Sequence, residues 1–289
     1  MVAPSRRIAG VGEIVDRYDL FLVDQWGVLH NGEKPYPGAL SALALLREAG
    51  KAVVVLSNSA RRVDWGVRRM DEIGIPRALY DRLVTSGEET WQHLRDRPDD
   101  FYRTLGRRCL LYSWGGDRGL TEGVDIEVVE RVEDADFILN AGTNREPIEW
   151  YEPELRAAAA RGLPMICANP DLVTVTPEGE LIITPGTVAR RFEELGGYVR
   201  WHGKPDRSVY ETCFALFPDA RRVVGVGDSL EHDIAGAANA GIDSVFVANG
   251  IHAPVLGIGN GENPADDRLE ALFADMGLRP DYVIPALRP

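Results

Sequence analysis

The chain has 289 residues, of which 45% are hydrophobic and 27% charged, a length that favours two domains and a composition that supplies a sizeable core. Its formal net charge of −13 argues against non-specific attraction to nucleic acid or to an anionic membrane. An acidic chain that handles an anion must therefore build a positive field locally, from a metal ion, a lysine or helix N-termini.

Met1 to Gly10 is basic but lacks the apolar stretch of a secretory signal. No apolar run approaches the roughly 20 residues that a membrane helix needs. Cys109, Cys167 and Cys213 are odd in number and far apart, which fits buried thiols in a reducing, cytoplasmic-type compartment.

In chain order, short apolar runs alternate with helical patterns. Strands are expected at Leu20–Asp24, Ala52–Ser57, Arg108–Tyr112, Asp136–Ala141, Pro164–Ala168, Tyr198–His202, Val223–Gly227 and Asp243–Val247. Unbroken runs such as Val53-Val54-Val55-Leu56 suit strands covered on both faces, so the fold class is α/β with a mostly parallel sheet. Helices are expected over Gly38–Ala49 and Arg61–Ile73, each followed by a glycine stop, from Pro205 to Leu216–Phe217, and over Leu269–Met276. Leu256–Pro264 reads as a loop. Trp65, Trp91 and Trp150 fall in helical patterns and are expected to pack inside.

Four segments place a polar group at or just beyond an apolar strand: Phe-Leu-Val-Asp24-Gln-Trp26-Gly, Val-Val-Leu-Ser57-Asn58, Trp-His-Gly-Lys204-Pro and Val-Gly-Val-Gly-Asp228-Ser-Leu-Glu-His-Asp233. In open α/β sheets ligands bind at the carboxyl ends of the strands, so these groups can converge. A carboxylate attacks an anionic phosphoryl group only when metal and lysine screen the repulsion. Mg²⁺ prefers one or two carboxylates plus waters and substrate phosphate, which Asp24 and Asp228 would supply. Ser57 and the N–H groups after it could hold an anion at a helix start. Taken singly, each residue has a plainer reading as a cap, a turn or a solvated surface group.

Together these motifs resemble the haloacid dehalogenase superfamily of aspartyl-phosphate-forming phosphatases. The resemblance implies a Rossmann-like core and names Asp24 as nucleophile. Ser57 and Asn58 would bind phosphate, with Lys204 neutralising nucleophile and phosphate. Mg²⁺ would be held by Asp24, the backbone carbonyl of Trp26, Asp228 and Asp233. The space between Ser57 and Lys204 resembles the branch with a large inserted α/β cap. The expected division is 1–84 core, 85–196 cap and 197–289 core, the cap being a candidate homodimer surface. The expected partner is a small phosphate ester such as a sugar phosphate or nucleotide. Cap residues Asn144, Arg145, Asn169 and Asp171, with His30 in the segment that usually forms a flap, are candidates for substrate choice.

One position departs from the family. The first motif of these phosphatases reads Asp-x-Asp, the second Asp being the general acid/base, whereas Trp26 stands there in this chain. An indole exchanges no proton near neutral pH. Three readings follow: an enzyme with slow or specialised turnover, with His30 as a substitute group; a phosphometabolite binder without catalysis; or hydrolysis at carbon, as in the dehalogenases proper, which carry Tyr there and need no metal. The acidic pair Asp228/Asp233 speaks for a metal site and against the last.

Overall fold

The computed structural model describes residues 4–175 and 180–289. Two compact units are present, one formed by 1–57, 66–84 and 204–289, the other by 58–65 and 85–203.

The first unit is built on a seven-stranded sheet in the order Arg6–Arg7, Tyr282–Ile284, Asp243–Val247, Val223–Gly227, Leu20–Asp24, Ala52–Ser57, Arg82–Thr85. The pairings from Arg6–Arg7 across to Ala52–Ser57 are parallel. Leu20–Asp24 is central. The chain continues from it to Ala52–Ser57 on one side, while Val223–Gly227 flanks it on the other. That reversal of direction opens a crevice at the carboxyl ends of these two strands, where Asp24 and the Gly227–Asp228 turn lie. Leu20, Leu22, Val54 and Leu56 pack on Val209, Tyr210 and Cys213 of the helix Arg207–Leu216. Phe246 and Ala248 meet Leu269, Leu272 and Phe273 of Asp266–Met276. Each such buried side chain contributes about 1.5–3 kcal/mol relative to exposure, so the strand ends are set on a rigid base.

The second unit carries a five-stranded parallel sheet, ordered Tyr198–Trp201, Pro164–Cys167, Phe137–Asn140, Arg108–Tyr112, Glu127–Val129. Successive strand residues face opposite sides. Leu110, Ile138 and Met165 join one core beneath the helices Ile148–Ala160 and Pro185–Glu194, while Cys109, Phe137, Leu139 and Ile166 join another with Leu94 and Tyr102. An antiparallel pair, Val173–Val175 with Leu181–Ile183, is also present. This unit runs to Gly203 rather than Gly196 because Tyr198–Trp201 pairs with Pro164–Cys167.

The eight expected strands form, five of them with the expected bounds and three trimmed by a residue at one or both ends. The helix expected to open at Pro205 begins instead at Arg207, because Asp206 caps it by accepting the Ser208 N–H at 2.8 Å. Trp65 and Trp150 are not interior residues; they are 42% and 57% exposed. Trp91 is the partly buried one, flanked by Arg62 at 3.6 Å and Arg95 at 4.5 Å. All three cysteines are buried and outside any disulfide, and burial pushes Cys109 and Cys167 up to about 12. Among the described residues no helix is long and apolar enough to cross a membrane.

Candidate active site

Asp24 is the last residue of its strand and lies buried in register with Leu56 of the neighbouring strand, one residue before Ser57. The turn after Val223–Gly227 presents Asp228. Ser229 then caps a π-helical turn, Leu230–Ile234, accepting the His232 N–H at 3.2 Å, and this turn carries Asp233 inward. Candidate ligand atoms of Asp24, Asp228 and Asp233 all lie within 4.8 Å of one another. Lys204, 2% exposed, reaches them from the segment before the helix Arg207–Leu216 and donates to Asp24 Oδ1 at 2.5 Å and Asp233 Oδ1 at 2.6 Å.

Asp233 is held on a second side, its Oδ2 accepting the Ser229 N–H at 3.1 Å, and Asp228 Oδ2 accepts the Ile251 N–H at 2.7 Å. Glycines permit the close fit. A β-carbon on Gly27, whose φ is +85°, would sit 2.2 Å from Asp228 Oδ2, and one on Gly250 only 1.9 Å away. Gly27 and Gly250 are functional residues that sequence reasoning missed, although the glycine that ends the first motif was in plain sight. Tyr36 is another. Its phenol is half-buried, and burial first, then the charge of Asp228, raises its pKa.

Three carboxylates face one ammonium, which leaves two uncompensated negative charges out of reach of bulk water. Burial first, and then the facing charges of Asp24 and Asp233, push Asp228 well above the ordinary carboxylate range. Burial alone would strip the proton from Lys204, but Asp233 and Asp24 outweigh it and hold the ammonium well above its usual value. An all-oxygen donor set with surplus negative charge fits a hard divalent cation such as Mg²⁺.

Trp26 stands at the mouth, 43% exposed. Its ring lies against Gly32, where a β-carbon would come within 2.4 Å, and edge-on to His30 at 5.6 Å. Arg69 steadies this loop by donating to the Gly32 carbonyl at 2.9 Å. His30 is buried, and its Nδ1 accepts the Gly32 N–H at 2.9 Å. Burial, with the Arg69 charge adding to it, lowers its pKa to about 4. The ring is thus neutral near pH 7, a state suited to accepting rather than donating a proton.

The remaining candidates fall into two groups in the second unit. Asn58 Nδ2 donates to Asp171 Oδ1 at 2.7 Å, and Asn169 Oδ1 accepts the Asp171 N–H at 2.9 Å, so these three form one cluster. Asn144 Oδ1 accepts the Gly115 N–H at 2.9 Å, and Arg145, with φ +62°, lies 5.6 Å from the ring of Trp114. No helix begins directly after Ser57; Val63 is the first helical residue, so the expected helix-start anion site is not formed there.

The comparisons with known proteins agree with this geometry. Residues 21–127 match the family model described as haloacid dehalogenase-like hydrolase, and residues 201–288 match a second, HAD-hydrolase-like model. The D-glycerol 3-phosphate phosphatase of Mycobacterium tuberculosis is 26% identical over 95% of this chain and 71% of its own length. A hydrolase of the haloacid dehalogenase-like family from Brucella suis 1330 superposes with a TM-score of 0.80 at 29% identity, covering 99% of this chain and all of that one. The glycerol phosphate phosphatase of Mycobacterium tuberculosis in complex with magnesium gives a TM-score of 0.67 at 26% identity, over 93% of this chain and 76% of that one. The two motif-bearing stretches, the switch-point carboxylates and the second α/β unit between them lead to one assignment: the chain belongs to the haloacid dehalogenase-like hydrolases.

Proposed function

We propose that the protein is a Mg²⁺-dependent phosphomonoesterase acting on a small organic phosphate through a phosphorylated Asp24. The observation that carries this reading is the Asp24–Lys204–Asp233 bridge with Asp228 beside it, at the carboxyl ends of the central strands. Asp24, Asp228, Asp233 and the Trp26 carbonyl would hold the cation, which when bound neutralises the phosphoryl oxygens.

An oxygen of Asp24 attacks phosphorus and the P–O bond to the leaving group breaks, giving an acyl phosphate and the departing oxide. Water then attacks phosphorus, freeing inorganic phosphate and restoring the carboxylate. Lys204 keeps Asp24 ionised and aimed, and offers positive charge to the phosphoryl group as it transfers. Ser57, at the end of the adjacent strand, would bind a phosphoryl oxygen. The cluster of Asn58, Asn169 and Asp171, and the pair Asn144 and Arg145, are candidates for choosing the substrate, and the second unit for a homodimer surface.

Trp26 favours a second reading, a phosphometabolite binder with little or no turnover, because general acid–base catalysis is typically worth about 10²–10⁴-fold. One experiment separates the two. Phosphate release is measured from a phosphomonoester panel that includes p-nitrophenyl phosphate, with Mg²⁺ and with chelator, for the wild type, Asp24→Asn and Trp26→Asp. The enzyme reading expects Mg²⁺-dependent turnover that Asp24→Asn lowers by about 10³-fold or more. Alkyl esters, whose leaving groups need a proton, should lag behind aryl esters, and Trp26→Asp should narrow that gap modestly, limited by the void left by the ring. Absence of turnover with every ester, in protein that binds them intact, would establish the binder.

A further inference from the structure

At the amino ends of three adjacent strands, Leu20–Asp24, Val223–Gly227 and Asp243–Val247, a cleft of about 400 Å³ is lined by Arg17, Tyr18, Arg221, Arg222, Val223, Gly241, Ile242 and Asp243. Strands of five residues rise about 3.3 Å per residue, which puts this cleft about 15 Å from the carboxylate site at their other ends. Its volume lies within the range of small-ligand sites, and three of its eight lining residues are arginines in a chain of net charge −13.

Two nearby carboxylates, Asp19 and Asp243, are already engaged inside the fold. Asp19 accepts from the Arg222 guanidinium at 2.8 Å and from the Arg221 and Arg222 backbone N–H groups at 3.2 and 3.0 Å. Asp243 accepts the Tyr18 hydroxyl at 2.5 Å. The guanidinium of Arg17 makes one bond, to the Tyr282 hydroxyl at 3.0 Å. That of Arg221 has no hydrogen-bond or ion-pair partner among the described residues. The cleft therefore offers open N–H donors from the Arg17 and Arg221 guanidinium groups, a third cation beside them, and Val223 and Ile242 as apolar parts of its lining.

We propose that this cleft is a second ligand site, distinct from the catalytic one, for a multiply charged anion of the phosphate class. Planar guanidinium groups present paired N–H donors that match phosphate oxygens, and several converging arginines favour a polyanion over a monocarboxylate.

The test is calorimetric titration of the full-length chain with pyrophosphate, in Mg²⁺ and again with excess chelator. Without metal the carboxylate site sets three acidic groups against one ammonium and repels anions, so binding measured in chelator reports the arginine cleft. Saturable binding in chelator is expected, weakened about tenfold or more in Arg221→Ala and in Arg17→Ala, a loss that matches one charge-assisted hydrogen bond. Both side chains are exposed, so melting temperature and p-nitrophenyl phosphate turnover without pyrophosphate should match the wild type. Lack of saturable binding in chelator, or binding equally tight in both variants, would overturn the proposal. Turnover is read in a separate assay, so failure here leaves the catalytic reading standing and the reverse also holds.

Discussion

At the scale of single residues, the molecule puts a neutral histidine where a proton donor would be convenient. His30 is held near 4 in the folded chain against 6.5 for a free imidazole, so the unfolded chain binds more protons between those values. Stability contributed by keeping His30 neutral is complete above pH 6.5 and is lost as the pH falls towards 4, by about 2 kcal/mol between pH 7 and pH 5. His30→Asn keeps an acceptor for the Gly32 N–H and removes the titration. Urea midpoints of wild type and variant, compared at the two pH values, should show the variant losing less on acidification by about that amount. Parallel curves would mean that His30 is not the group responsible. The convergence of Asp24, Lys204, Asp228 and Asp233 was legible because each follows an apolar strand or sits at fixed spacing from one that does. The fate of His30 was not, since burial and the N–H it accepts depend on how the loop from Gly27 to Pro35 folds back.

At the scale of elements, the strands needed little beyond composition, because a buried parallel strand is an unbroken apolar run. Short edge strands such as Arg6–Arg7 and Glu127–Val129 escaped, as two or three half-exposed residues carry no period. Asn58 follows a strand as an anion ligand would, and its amide also reaches Asp171, 113 residues away, a contact that no local pattern announces. The turn after Asp243–Val247 is the element whose role only the fold reveals. Gly250 and the Ile251 N–H wall in Asp228, so Gly250→Ala must displace that carboxylate rather than merely crowd it. Mg²⁺ affinity should fall by roughly 10–100-fold, as for loss of a group that orients a metal ligand, while the melting temperature in chelator changes little. Equal Mg²⁺ affinity in the variant would show that Asp228 has another stable position.

At the scale of the whole molecule, two units with separate sheets and separate cores share one chain, and the carboxylate cluster belongs entirely to one of them. Mg²⁺ binding should therefore stabilise the units unequally. At one hundred times its dissociation constant a ligand adds about 2.7 kcal/mol to whatever unfolds with its site. Hydrogen exchange followed by mass spectrometry should show slowing in peptides from Leu20–Asp24, Val223–Gly227 and the turns after them, with little change across Phe137–Asn140 and Pro164–Cys167. Equal slowing in both sheets would mean that the two units open as a single cooperative body.

The burial of Lys204 has one more consequence. The sequence holds only three lysines, Lys34, Lys51 and Lys204, against 29 arginines. Acylating reagents react with the free amine, and Lys204 is shut away from solvent and kept as an ammonium by two aspartates. Random amine chemistry, destructive for most enzymes with an essential lysine, thus has Lys34 and Lys51 as its side-chain targets. The protein can be tethered to a surface or tagged through them with the Lys204 amine protected by its own fold.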